Sequence, residues 1–358
     1  MLTEDIKRLA ASYGLSVSLR TNELNAWRDT LGCCHYVPVM YTNSSIEFQW
    51  AYQRGHGWDC KDLSLLIYWD KKPIAVWPLS LANKGGNAIL SSHGLAMLPP
   101  IFSANCPASS RKRITKNCLD LANAIAVSVG IDSWESAESF NDTNGLSDWH
   151  SESMVRGATC NISHELFLDL RLEMAEIKRN FRKSYKSLIT SGMRLWSVDL
   201  LNTVNESIWN EFRQLHLNVS GRKTRSDETW ALHLQDIGVQ QAFLVYLRDS
   251  AGTMVGGGFF NYTRDEGLYA VAAYDRTLFD QPLGHVVQFR AIEELKNMGV
   301  RWYKLGARPY SSETPTPTDK EISIGEFKQG FASHLFPRLV LIHPTTKTTI
   351  LPNMEQID

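Results

Sequence analysis

The chain has 358 residues with a formal net charge of −1, 43% hydrophobic and 21% charged residues. This is the composition of a globular protein with a core large enough to need no staples, and at roughly 150 residues per domain the length predicts two domains. A near-zero net charge excludes a global basic field for DNA or a polybasic surface for membranes.

The six cysteines show no CxxC spacing, and the ten histidines form neither HxxxH nor HExxH. The expectation is reduced thiols in a cytoplasmic protein and no metal site. The start, MLTEDIKRLA, lacks the apolar region of a signal peptide, and no uninterrupted apolar run of about 18 residues exists to span a bilayer. The eleven tryptophans predict large packed or ligand-lining surfaces.

In chain order, residues 22–31 read as a helix. HYVPVMYT (35–42) is strand-like but carries Pro38, which predicts an edge strand or extended arm. Residues 46–54 continue as a short helix. LSLLIYWD (63–70), IAVWPLSL (74–81) and AILSSHG (88–94), joined by Asp-Lys-Lys-Pro and Asn-Lys-Gly-Gly-Asn turns, predict a meander. Ser109 is placed to cap a helix over 110–129, and IDSWESA (131–137) reads as a returning strand. Asn141–Gly145 is a polar break, and 148–165 reads as a linker.

The second half opens with a strand (166–170) and one basic helix carrying Lys178, Arg179, Arg182, Lys183 and Lys186, ended by Gly192. Ile177, Phe181, Tyr185 and Leu188 form its apolar stripe. SGRKTRSDETW (220–230) holds Arg222, Lys223 and Arg225 just before a helix cap at Ser226 or Asp227. Three cations on one loop suit a diphosphate or an acidic glycan; a solvated loop is the plainer alternative.

Residues 242–331 organise the rest. AFLVYLRD (242–249), MVGGGFFNYT (254–263) and LYAVAAYD (268–275) predict three antiparallel strands. Val287, Ala291, Leu295 and Met298 fall on one helical face, Gly299 stops that helix, and 300–306 is a further strand. The turn Gln281-Pro282-Leu283-Gly284-His285-Val286 leads into the helix N-terminus, where free N–H groups and the helix dipole suit a pyrophosphate. Arg308, Tyr310 and the Pro-rich 311–321 form a long loop of the kind used as a lid or binding loop. In ISIGEFKQGF (322–331), Gly325 and Gly330 predict mobile or bulged backbone around Lys328.

Three strands, a Gly turn, a helix and a strand resemble the acyl-CoA N-acyltransferase (GNAT) fold. Gln281 and Gly284 match that fold's pyrophosphate loop, Gln/Arg-x-x-Gly-x-Gly/Ala, while Val286 departs from it. The basic helix with Ser191-Gly192-Met193, the Trp209–Phe212 segment, the Pro-Leu-Gly turn, Tyr303–Gly306 and Glu326–Phe331 resemble the C-terminal domain of FemAB-type acyltransferases. The pattern covers about 160–340; the first half fits in architecture as the family's degenerate GNAT-like domain.

The resemblance implies α/β mixed sheets in tandem GNAT-like domains, at 1–155 and 156–345, with a tail at 346–358. It implies transfer of an acyl or aminoacyl group to an amine, from acyl-CoA such as acetyl-CoA or from aminoacyl-tRNA. The acceptor would be an amino sugar or another cell-envelope or surface-polysaccharide precursor. The long helical arm of peptidoglycan-bridge enzymes has no counterpart here. A catalytically silent GNAT-like binding module is the alternative from another class.

Candidates for proton acceptance are His285, Asp275 and Glu326. Tyr274 or Tyr310 would return a proton to the leaving group, and Lys328 would hold an anion or the oxyanion. Gln281, Gly284, His285 and Val286 would bind the donor. Arg222, Lys223, Arg225, Arg308, Tyr310 and Arg182 would bind substrate.

Overall fold

The computed structural model describes residues 3–138, 140 and 147–346. The predicted polar break at 141–145 and the tail from 347 lie outside the described residues. Two compact units form: the first takes residues 1–36, 41–162 and 338 onward, the second 37–40 and 163–337. The return to the first unit at Arg338 differs from the sequence reading, which kept the chain in the second half to 345.

Unit 1 contains α1 (Thr3–Ser12), β1 (Ser16–Leu19), α2 (Leu24–Gly32), α3 (Asn43–Gly55), β2 (Asp59–Asp62), β3 (Leu65–Trp69), β4 (Lys72–Trp77), β5 (Ser80–Lys84), β6 (Asn87–Ser91), β7 (Ile101–Phe102), α4 (Ala108–Ser128), β8 (Ser133–Glu138) and α5 (Asp148–Val155). Its strands do not make the single mixed sheet of one GNAT-like domain. β1-β3-β4-β7 and β2-β5-β6 form two antiparallel sheets, because the meander changes sheet at Pro78-Leu79 between β4 and β5. α4 begins at Ala108 behind Pro107, so Ser109 lies inside the helix rather than capping it. Trp77, Trp134, Trp149 and the apolar face of α4 fill the core.

The predicted linker is ordered structure: α5, capped by Ser147, and then β9 (Thr159–Asp169), whose residues from Ser163 belong to unit 2. Unit 2 continues with α6 (Met174–Asn180), α7 (Lys183–Leu195), β10 (Ser197–Leu201), α8 (Glu206–Ser220), α9 (Asp227–Gly238), β11 (Ala242–Arg248), β12 (Met254–Tyr262), β13 (Glu266–Tyr274), α10 (Leu283–Asn297), β14 (Trp302–Ala307) and α11 (Asp319–Gln329). β15 (His334–Pro344) follows, and from Leu339 it pairs with β8 in unit 1.

The basic helix is two helices, broken where Phe181 and Arg182 are extended, and it runs through Gly192 instead of ending there. Gly192 is needed for packing: a β-carbon there would overlap Val286 and lie 2.9 Å from the Pro282 ring of α10. Residues 322–329 are likewise helical, not bulged. A Thr318–Glu321 capping box starts α11, and Gly330 lets its end close over the Tyr185 ring.

In unit 2 six strands run in the order β10-β11-β12-β13-β14-β9. Strand alternation sends Phe243, Val245 and Leu247 to one face, under α7 and α10, and Leu244 and Tyr246 to the other, under α8 and α9. Val287, Ala291 and Leu295 of the predicted stripe are fully buried. The 35–42 segment is an arm: the Val37 and Val39 N–H groups donate to Asp265 and Glu266, at 2.9 and 3.0 Å.

Candidate active site

The site follows from one break in the sheet. β13 and β14 are parallel neighbours joined by α10, but they pair only over Glu266–Leu268 and Trp302–Lys304. β13 continues to Tyr274 and β14 to Ala307 without pairing further to each other. Strands that diverge leave backbone groups and side chains facing an opening instead of a neighbour.

Tyr269 and Tyr274 stand on β13 beyond the last paired residue, and their hydroxyls are 3.1 Å apart. They are five positions apart, which in a regular strand would place them on opposite faces. The register of β12 against β13 skips Ala270, and this bulge brings both rings to the α10 side. Tyr303 on β14 donates to the Gln288 side chain of α10 at 2.6 Å. Burial raises the phenol pKa of all three tyrosines, so at neutral pH they are protonated hydrogen-bond donors.

Lys328 of α11 reaches the same place. Its Nζ lies 5.5 Å from the centre of the Tyr269 ring, beside the bare Cα of Gly306 on β14. Burial lowers its pKa, and no carboxylate pairs with it among the described residues.

Beside this cluster is the N-terminus of α10. Pro282 is the cap residue and supplies no side-chain acceptor. The Leu283 and Val286 N–H groups are used by Gln281 and Pro282 carbonyls, at 2.9 and 3.3 Å. Gly284 and His285 carry the other first-turn N–H groups, for which the helix itself has no acceptor. Val286 points into α7 against Gly192, away from those N–H groups. A β-carbon on Gly284 would meet Phe327 at 3.1 Å and Tyr274 at 3.6 Å. The His285 ring packs edge-on to Tyr185 and Phe327. Burial, aided by the Arg182 charge, lowers its pKa to about 4, so it is neutral and a weak base at pH 7. Gln281 bonds to Asp280 through its side chain at 2.9 Å.

Several other candidates are engaged in holding the fold. Asp275 caps the following turn, accepting from the Thr277 N–H and hydroxyl at 2.9 and 2.8 Å. Arg308 is buried, donating to Gln329 at 2.7 Å and to the Pro309 carbonyl at 2.6 Å, and so ties the end of β14 to α11. Glu326 is exposed and lies 3.6 Å from Arg308. Arg182 donates to the Glu326 carbonyl at 2.9 Å. Tyr310 lies beneath the Arg308 guanidinium and edge-on to His164.

The cationic loop 222–225 joins α8 to α9, so it lies with the helices on the other face of the sheet. It borders a groove of about 340 Å³ that is also lined by Arg213, His216 and Trp230. Four cations here face one lining carboxylate, Asp227, which is 2.6 Å from Arg213 and 3.0 Å from Lys223. Arg225 Nη1 lies 3.2 Å from His233 Nε2. Ser226 is the cap residue of α9, accepting from the Thr229 N–H.

Tyr269, Tyr303, Gln288, Gly306 and Arg213 were not singled out in the sequence. Tyr303 and Gly306 fall in the quoted Tyr-Lys-Leu-Gly strand end, so that motif was their available signal. Nothing local marks Arg213, which is brought to the loop by the α8–α9 turn.

No family model matches the chain, and no curated protein matches it in sequence. Solved structures do match. FemX is similar over 91% of this chain and 96% of its own, with a TM-score of 0.66 at 10% identity. The C-terminal domain of a putative lysylphosphatidylglycerol synthetase from Agrobacterium fabrum matches over 90% and 92%, with a TM-score of 0.57 at 12% identity. L-PGS from Bacillus licheniformis matches over 77% of this chain and 83% of its own, with a TM-score of 0.51 at 14% identity. The fold is therefore a FemX-like mixed α/β fold, and the likeness to FemX extends through both units. No described helix is long and apolar enough to cross a membrane.

Proposed function

We propose that the protein is an N-acyltransferase. It would move an acyl or aminoacyl group to an amine at the divergence of β13 and β14. The observation that carries this reading is the convergence of Tyr269, Tyr274 and Lys328 on that divergence. Acyl transfer of this kind needs no covalent enzyme intermediate. The amine attacks the carbonyl carbon, the carbonyl oxygen becomes an oxyanion, and the thioester or ester bond breaks. Protonated phenols are suitable donors to the oxyanion, and a partly water-excluded setting strengthens them.

The Gly284 and His285 N–H groups would take the pyrophosphate of an acyl-CoA donor such as acetyl-CoA. The groove at Arg213, Arg222, Lys223 and Arg225 would hold the anionic part of the acceptor, an amino sugar on a phosphate-bearing envelope or surface-polysaccharide precursor. Aminoacyl-tRNA is the alternative donor that the FemAB-type resemblance implies.

The test incubates the purified protein with acetyl-CoA, or with mixed aminoacyl-tRNA, and a panel of free and nucleotide-linked amino sugars. Acceptor mass is then measured. An acetyl or aminoacyl gain on the amine is expected. Ligand binding with no mass gain from either donor would leave a binding module instead.

A further inference from the structure

We propose that Lys328 is the proton shuttle of the transfer: its side-chain amine takes a proton from the incoming ammonium and returns it to the leaving group. This rests on the acyl-transfer reading above. The neutral Lys328 amine accepts one proton from R–NH3+, leaving R–NH2 with the lone pair that forms the new C–N bond. When the tetrahedral intermediate collapses, the C–S or C–O bond breaks with its electron pair on the leaving atom. Lys328 then gives its proton to that sulfur or oxygen. The extra proton on the newly formed amide nitrogen passes to solvent, and no other co-reactant is required.

The geometry points to Lys328 by position and by what surrounds it. A shuttle must meet both reactants where the strands part, and Lys328 Nζ is there, between the Tyr269 ring and Gly306. It must also lose and regain its proton easily, which a neighbouring carboxylate would prevent by fixing the charge. Among the described residues, the groups around it do not supply one. Tyr269 and Tyr274 on β13 are protonated phenols, and His285 on α10 is neutral. On β14, Lys304 is paired with Glu165 of β9 at 2.8 Å, and both side chains are largely buried. Arg308 lies against Gly325 of α11, with Glu326 3.6 Å away. Glu326, on Lys328's own helix, lies towards Arg308, and Arg182 is bound to the Glu326 carbonyl. Burial lowers the Lys328 pKa in agreement with this setting.

The other candidate bases are poorer. Asp275 is occupied by its turn. A histidine with a pKa of about 4 takes little proton from an ammonium.

The experiment has two arms on the full chain. In the first, amines are competitively labelled with acetic anhydride across a pH series, and the peptide carrying Lys328 is quantified by mass. Its titration midpoint is expected below that of the exposed lysines, because burial disfavours the charged form. In the second, Lys328→Ala and Lys328→Arg are assayed for transfer, and Lys328→Ala is supplied with small primary amines of graded basicity. Both variants are expected to lose about 10²–10⁴-fold. Rescue of Lys328→Ala should rise with amine basicity.

An ordinary titration midpoint with wild-type transfer intact overturns the shuttle alone. Activity retained in Lys328→Arg, or no rescue by any amine, makes Lys328 a fixed cation and also overturns it. No wild-type transfer from either donor removes the acyl-transfer reading and the shuttle together, whatever the labelling shows.

Discussion

A β-carbon on Gly306 would lie 2.9 Å from the Nζ of Lys328, so the position of this amine depends on the missing side chain. Gly306 also has φ +113°, a region that L side chains rarely adopt. Gly306→Ala is therefore expected to act twice. Backbone strain should cost about 1–3 kcal/mol, seen as a lower Tm. The displaced amine should lower kcat more than it raises either KM. Full turnover in folded Gly306→Ala would show that Lys328 does not work from this position.

Much of unit 2 was legible because its signals are local. The 287–298 stripe, the Gly299 stop and the strand–turn–strand runs need only periodicity and turn chemistry. What was hidden depends on non-local fit. Gly192 and Gly330 read as breakers but serve close packing against Val286 and Tyr185, which no window of sequence contains. Tyr269 could not be grouped with Tyr274 because the bulge at Ala270 changes the parity of the strand. The two stretches richest in chemistry, 222–225 and 281–286, proved to lie on opposite faces of one sheet, a consequence of strand order rather than of either motif.

Gly284 tests the donor side. Space for a β-carbon is tight, since it would meet the Phe327 ring at 3.1 Å. Gly284→Ala is expected to keep the fold with a small fall in Tm, while Gly284→Val should push Phe327 aside. If a donor pyrophosphate meets the Gly284 and His285 N–H groups, donor KM should rise from Gly to Ala to Val with acceptor KM unchanged. Steady-state kinetics with acetyl-CoA make the check, and a flat donor KM across folded variants would remove this helix end from donor binding.

The two arginines of the α8–α9 loop should separate stability from binding. Arg222 is exposed, whereas Arg225 contacts the buried His233 and lies 5.8 Å from the centre of the Trp230 ring. Arg222→Ala should leave Tm unchanged, and Arg225→Ala should lower stability by about 1 kcal/mol. Both should weaken binding of the acceptor found in the transfer assay by roughly 1.5–3 kcal/mol, with a loss that shrinks as salt is added. Calorimetric titration at two ionic strengths measures this. Unchanged affinity at low salt in both variants would return the loop to a solvated role.

Asp62 tests what holds unit 1 together. Its carboxylate accepts from Arg20 Nε and Nη2 at 2.9 and 2.6 Å, and from the Ser64 N–H at 2.9 Å, with His93 Nε2 3.1 Å away. Arg20 is fully buried and also reaches Asn43 at 3.0 Å and Glu47 at 2.6 Å, so β1, α3 and β2 meet at one guanidinium. Burial by itself would raise the Asp62 pKa. The His93 hydrogen bond and charge, the Arg20 charge and the Ser64 contact outweigh it and hold the carboxyl well below the usual carboxylate range. A depressed folded-state pKa means that the unfolded chain binds the proton first as pH falls. The stabilisation is therefore fully present above the unfolded value near 4 and is lost as pH falls from there towards the folded value. Asp62→Asn leaves Arg20 buried without its main counter-charge and is expected to cost about 3–5 kcal/mol at pH 7. The difference from wild type should narrow as pH is lowered below about 4, where the wild-type advantage is itself titrated away. Urea unfolding of both proteins from pH 7 to pH 3 measures that difference, and a constant gap across the range would show that the ionised carboxylate is not what stabilises this corner.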